Sequence, residues 1–309
     1  MLALVSRLAA SPWLISLEHA QSYMPLLAGL LLGNASAEPA ANLAELRAEA
    51  APRDYTVKPS SFGTVSYAAR GVAADGSGTG ADETIIRVLR AEGPLMKADQ
   101  FCGPLGLMSL AASLNRAARD PEIGGVVLRV DSPGGQVYGT QSVADGIRAC
   151  QQAGKPVVAL CDDGLMCSAA YWIGATCDSI IATHETCCIG SIGVMASWAD
   201  AQPYFEKMGV KFHEVYAEQS SQKNADFAAA SKGDYKALQG QLTAIADGFL
   251  SHVRESRAGR LDEKQFQKSG AAAGKTFFAS QAGEIGLIDA MGSFSDALAE
   301  CARLAALTK

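Results

Sequence analysis

The sequence has no C-x-x-C pair, although it holds eight cysteines, and it has only four histidines in 309 residues. Zinc ribbons and fingers need paired ligands a few residues apart, because one short loop must present two of them to one ion. The cysteines at 102, 150, 161, 167, 177, 187, 188 and 301 are not spaced that way, and several lie in apolar runs, such as Cys161 after 157–160 (VVAL). They read as buried free thiols in a reducing compartment, so neither a metal site nor a disulfide framework is expected. Basic runs longer than two residues are missing as well, and the formal net charge is −6. Nucleic acid and anionic membrane surfaces are thereby excluded as expected partners. The apolar stretch 24–33 (MPLLAGLLLG) has ten residues, where a bilayer span needs about 20, and no stable membrane anchor is expected. The NASA sequence at 34–37 has the small-x-small pattern of a signal-peptidase site. However, Glu18 and His19 lie upstream and Arg7 is the single basic residue ahead of the stretch, so it reads as a short amphipathic or packing segment. The Gly-rich 71–83 (GVAADGSGTGADE) is followed by no G-K-[ST], and no strand is read directly before it; it is taken as a loop and not as a phosphate cradle.

What is present is ordinary for a globular chain with a sizeable core: 49% hydrophobic and 19% charged residues. Residues 1–83 read as an N-terminal appendage, with a helix over 41–50 and a linker that includes the Gly-rich loop. Residues 84–309 carry the main domain. Strands are expected at 84–89 (TIIRVL), 125–130 (GVVLRV), 156–161 (PVVALC), 179–182 (SIIA) and 211–216. Helices are expected near 105–119, 139–153, from Ser168 onward, and at 198–208, 232–257 and 294–307. Strands alternating with helices imply an α/β fold, with a twisted, largely parallel sheet flanked by helices.

Two strand-to-helix junctions carry unusual residues. After 125–130 comes Asp131-Ser132-Pro133-Gly134-Gly135. Pro-Gly-Gly cannot continue a buried strand, and it turns the chain with N–H groups uncovered beside the next helix, where they could hold a developing oxyanion. The same residues also make a plain turn. The second junction is 164–171 (GLMCSAAY), in which Ser168 begins a helix among small residues. Small neighbours leave room for a substrate carbonyl to approach the hydroxyl; the competing reading is an N-cap serine.

Taken in order, strand, SPGG, helix, strand, small-x-Ser helix and then 190–194 (GSIGV) resemble the signal peptide peptidase A family, over roughly residues 84–300. The early 93–95 (GPL) and late 282–288 (AGEIGLI) belong to the same likeness, and Trp13-Leu14-Ile15 is similar to the phage head maturation protease branch. The resemblance implies a Clp/crotonase-like α/β fold and a serine endopeptidase with a Ser–Lys dyad, working without metal or other cofactor. Ser168 would be the nucleophile. A lysine beyond GSIGV would be its base, since a partly desolvated amine loses its proton near neutral pH and can accept the serine's. Lys207, Lys211, Lys223, Lys232 and Lys236 are in range. The family's lysine directly follows a strand, which is read here as ending at Tyr216, and the match is Lys223, 55 positions beyond Ser168. Ser191 would orient the amine, and the Gly135 N–H, shaped by Gly134, would hold the oxyanion with the Ser168 N–H as a second donor. Asp131 is assigned no role. Cys167 has no histidine placed to activate it. His184 raises the Ser–His–Asp triad of the related Clp proteases, yet it lies before GSIGV and reads as a surface or structural residue.

The implied partners are polypeptides (scaffold or capsid-assembly proteins, with this chain's own termini as candidates) and further copies of the chain in a homo-oligomer. The implied location is the cytoplasm or a prohead interior. Three alternatives stand beside this reading: a cellular peptidase that degrades signal peptides, a crotonase-type acyl-CoA enzyme, and a catalytically silent assembly scaffold.

Overall fold

A computed structural model describes residues 13–15, 51–59, 65–69, 83–100, 104–198, 200 and 202–308. The expected helix over 41–50 lies outside them. In chain order the elements are β1 (Trp13–Ile15), β2 (Arg53–Pro59), β3 (Val65–Ala69), β4 (Thr84–Glu92), α1 (Leu107–Arg119), β5 (Ile123–Ser132), β6 (Gly134–Gln136) and α2 (Thr140–Gln152). They continue with β7 (Val157–Cys167), α3 (Ala169–Thr176), β8 (Ser179–Ala182), β9 (Cys188–Gly190), α4 (Gln202–Lys207), α5 (Ala225–Ala230) and α6 (Lys236–Ser256). The last are α7 (Glu263–Lys268), β10 (Thr276–Phe278), α8 (Ala279–Ile285), β11 (Ala290–Met291) and α9 (Phe294–Leu307).

The β-branched run of β5 alternates between two cores, because successive side chains of a strand point to opposite faces. Val126 and Leu128 enter one core, and Val127 enters the other. Val157 and Ala159 of β7 repeat the first placement, Val158 and Leu160 the second. The larger core is closed by α1, α2, α3, α6 and α8, through residues such as Leu114, Ile147, Tyr171, Phe249 and Ile285. On the other face α9 contributes Ala297, Leu298 and Cys301. Each such aliphatic or aromatic side chain contributes about 1.5–3 kcal/mol by leaving water. The fold is therefore α/β, with helices on both faces of a sheet whose central strands β4, β5, β7 and β8 run parallel.

The sheet order is β10-β9-β7-β5-β4-β2-β3, with β8 paired to both β7 and β11. Strand β7 does not stop at Cys161. Its first half pairs with β8, and Leu165, Met166 and Cys167 then pair with β9, so the strand changes partner across the bend at residues 162–164. That change carries the chain past the end of β8 and delivers Ser168.

Four expectations are corrected. Residues 53–59 and 65–69, placed outside the main domain from the sequence, add two antiparallel strands beside β4. Strand β3 also ends shortly before the Gly-rich 71–83, so a strand does precede that stretch. Residues 211–217 form no strand: they lack regular structure, are exposed, and pair with no strand among the described residues. The helix read at 198–208 is shortened to Gln202–Lys207.

Candidate active site

Ser168 stands between the end of β7 and the start of α3, with backbone angles φ 55° and ψ −118°. That region is disfavoured for any residue with a Cβ and costs on the order of 1–3 kcal/mol. The serine is 1% exposed. It occupies the N-cap position of α3, and its carbonyl accepts the Trp172 N–H at 2.9 Å, but its side chain accepts no N–H from the helix. Its hydroxyl instead lies 3.4 Å from the Gly193 carbonyl as a donor. Its own N–H, expected as a second oxyanion donor, is taken by the Gly190 carbonyl at 2.8 Å. Buried Tyr171 and α3 anchor this corner, the phenol donating to the Leu287 carbonyl at 2.9 Å.

Strand β6 lies against α3. Gly134 has φ 106°, a conformation glycine adopts without steric penalty. Ser132 is fully buried and ties the turn together: its hydroxyl donates to the Gly93 carbonyl at 2.6 Å and accepts from the Gly134 N–H at 3.2 Å. The GPL segment supplies the rest. Leu95 donates its N–H to the Gly134 carbonyl and accepts from the Gln136 N–H, both at 2.8 Å. A Cβ on Gly135 would overlap the Leu95 backbone, so only glycine permits this approach. Asp131, given no role from the sequence, accepts the Leu165 N–H at 3.0 Å and so links the end of β5 to the second half of β7.

Ser191 also has a positive φ, 53°, and donates its N–H to the Lys275 carbonyl at 3.1 Å. It sits between Gly190 and Gly193, both of which contact Ser168, so Ser168, Gly134, Gly135 and Ser191 share one corner of the molecule. Among the described residues no hydrogen bond joins Lys223 to Ser168. Lys223 is exposed, and its N–H donates to the Ser220 carbonyl at 2.9 Å in the turn between residue 217 and α5. No side-chain hydrogen bond or ion pair of Lys223 occurs among the described residues.

Cys167 is held as a thiol: hydrogen bonding to Cys188 and burial push its pKa well above the ordinary range, which leaves little thiolate for attack. His184 is exposed and lies at a turn, its carbonyl accepting the Cys187 N–H. The sequence reading missed Ser132 and the Leu95 backbone as the parts that shape the glycine turn. It also missed Lys275, whose carbonyl holds Ser191 and whose ammonium lies 5.5 Å from the Phe277 ring centre. The signal for the first pair was the spacing of GPL from SPGG; for Lys275 none was available, because β10 lies far along the chain.

The family model of peptidase family S49 matches residues 149–308, which include Ser168, Ser191 and Lys223. The chain belongs to peptidase family S49. Among relatives, "Protease 4" of Salmonella typhi is 30% identical over 225 residues, covering 72% of this chain and 35% of that protein. "Capsid assembly protease C" of Escherichia phage lambda is 30% identical over 172 residues, covering 54% of this chain and 38% of that protein. The chain thus spans roughly a third of the length of these S49 relatives. Among solved structures, a mutant of the "1510-N membrane-bound stomatin-specific protease" is 13% identical, covering 68% of this chain and 81% of that one, with a TM-score of 0.42. Among the described residues no helix is long and apolar enough to cross a membrane.

Proposed function

We propose that this S49 chain is a serine endopeptidase in which Ser168 attacks the peptide carbonyl, the Gly135 N–H holds the oxyanion, Lys223 is the base and Ser191 orients it. The observation that carries the reading is Ser168 itself. It is a buried serine in a strained backbone at a helix start, its side chain making no cap bond, set beside a glycine turn that only glycine can make. Strain of this kind persists where the surrounding fold enforces it, and it clusters at reactive sites.

The Lys223 amine takes the Ser168 proton as the oxygen bonds to the carbonyl carbon. The tetrahedral oxyanion is held by the N–H of Gly135, and its collapse breaks the C–N bond as the ammonium protonates the leaving amine. Water, deprotonated by the same amine, then releases the acyl group from Ser168.

Lys223 reaches the serine only if its arm is placed against a site. Residues 202–235 carry exposed Tyr204, Met208, Phe212, Val215, Phe227 and Tyr235, and Ala230 is their one buried side chain. An apolar surface of that extent favours contact with a second copy of the chain, and we propose that assembly closes the dyad. Polypeptide substrates follow from the chemistry, and capsid-assembly proteins are favoured by the likeness to "Capsid assembly protease C".

The test compares wild type with Ser168→Ala, Lys223→Ala and Lys275→Ala on casein and on co-expressed capsid proteins, with cut sites read by mass spectrometry. Loss of at least ~10³-fold in the first two, with Lys275→Ala active, is the expected outcome. Mixing inactive Ser168→Ala and Lys223→Ala chains should restore cleavage if the lysine comes from a second copy. An active Lys223→Ala with an inert Lys275→Ala would reassign the base; an inert wild type would favour the scaffold reading.

A further inference from the structure

Strand β1 lies antiparallel on β6, in the register Trp13↔Gln136, Leu14↔Gly135 and Ile15↔Gly134, and the two form a sheet of their own. The other edge of β6 is already occupied, since Leu95 takes the Gly134 carbonyl and the Gln136 N–H. In an extended strand the backbone groups of successive residues point to opposite edges. If residues 134 and 136 face Leu95, the N–H and carbonyl of Gly135 face β1. Leu14 and Gly135 are then the pair that exchange hydrogen bonds. The amide assigned above to the oxyanion is thus turned toward this chain's own Leu14.

A peptide whose carbonyl is to be attacked must approach along that same free edge, adding itself to β6 as a strand. From this coincidence we infer that residues 13–15 occupy the place of a substrate strand, so that the N-terminal segment is a built-in competitor for the peptide site. The inference rests on the assignment of Gly135 as oxyanion donor. The ligand class is an extended polypeptide running antiparallel to Gly134–Gln136, held mainly by its backbone. Because β1 is three residues long, it adds few ladder bonds and can exchange with a longer peptide that makes more.

The test uses the full chain and does not need catalysis. Leu14→Pro removes the N–H that the Gly135 carbonyl accepts. Hydrogen exchange of the peptide spanning Gly134–Gln136 is compared in Ser168→Ala and in Ser168→Ala/Leu14→Pro, alongside binding of a fluorescent peptide of residues 9–19 (AASPWLISLEH). Exchange at Gly135 should be at least tenfold faster in the double variant, and the peptide should bind at least tenfold tighter to it. Leu14→Gly, which keeps the N–H but loosens the strand, should move both readouts the same way by a smaller amount and covers the case in which the proline variant misfolds. Unchanged exchange and unchanged affinity would overturn the inference, as would faster exchange without tighter binding, which would make β1 a structural strand only. In active chains Leu14→Pro should lower KM for a peptide substrate and leave kcat unaltered. If exchange and binding respond but no chain cleaves anything, the competitor stands and the peptidase assignment fails.

Discussion

At the scale of single residues, the site is defined by two backbone positions that oppose each other in chemistry. Ser168, the proposed nucleophile, sits where glycine would be comfortable; Gly135 sits where any side chain would collide with Leu95. Ser168→Gly should therefore melt above Ser168→Ala, by about 1 kcal/mol of stability, with both inactive, because only the glycine relieves the strained φ. Calorimetry of the two variants reads this directly, and equal melting temperatures would mean that the strain is not stored at this residue. Gly135→Ala should lose activity and about 1–3 kcal/mol of stability, since the Leu95 backbone must move to admit a methyl group. A variant with normal turnover would exclude the Gly135 amide as oxyanion donor.

Among elements, the bend of β7 and the arm at 202–235 divide the work. The first half of β7 is held by β8 and the second by β9, which fixes Ser168 rigidly relative to β6. Among the described residues the arm has one buried side chain, Ala230. The arm's ring contacts are mostly local, between Phe205 and Phe212 and between Trp198, Phe227 and Tyr235. Val215 is 94% exposed, and that is an unusual placement for a valine within such an apolar surface. Val215→Glu should leave the melting temperature of the separated chain unchanged and lower the mass measured by light scattering, with peptidase activity falling in parallel. Full assembly in the variant would show that the arm is not where copies meet.

For the whole molecule, the buried Arg257 ties the late chain to the sheet. Its guanidinium donates two hydrogen bonds to the Gly286 carbonyl and a bidentate pair to Asp289, whose Oδ2 also accepts the Ile180 N–H at 2.7 Å. Burial alone would raise the pKa of Asp289, but hydrogen bonding to Arg257 and its charge outweigh that and hold it below the ordinary value. A carboxylate so depressed stabilises the fold above the carboxylate range of the unfolded chain and loses that contribution as pH falls through its folded value. His252 acts at higher pH. Burial, aided by Arg148, lowers its pKa although the Trp172 carbonyl opposes this, so the folded state favours the neutral ring. Stability should be flat above about pH 7, decline below about 6.5 as His252 is forced to charge, and fall again below about 4 as Asp289 protonates. Thermal melts from mildly alkaline to acid pH check the profile; His252→Gln should remove the first decline and keep the second. Asp289→Asn should cost about 3–5 kcal/mol, because it leaves Arg257 charged and buried without its partner.

Local sequence was enough for the alternation of β5, the four-residue β8 and the helix over 294–307, because each is set by periodicity and by residues in direct succession. It was also enough to single out SPGG as the end of a buried strand, since such a strand cannot run through Pro-Gly-Gly. Local sequence could not supply the pairing of β2 and β3 with β4, the approach of Leu95 to Gly135, the seating of β1 on β6, or the solvent exposure of Lys223. Those depend on which sheet edges remain open after the core has formed. An edge is a property of neighbours brought together from distant parts of the chain, and no window of sequence contains it.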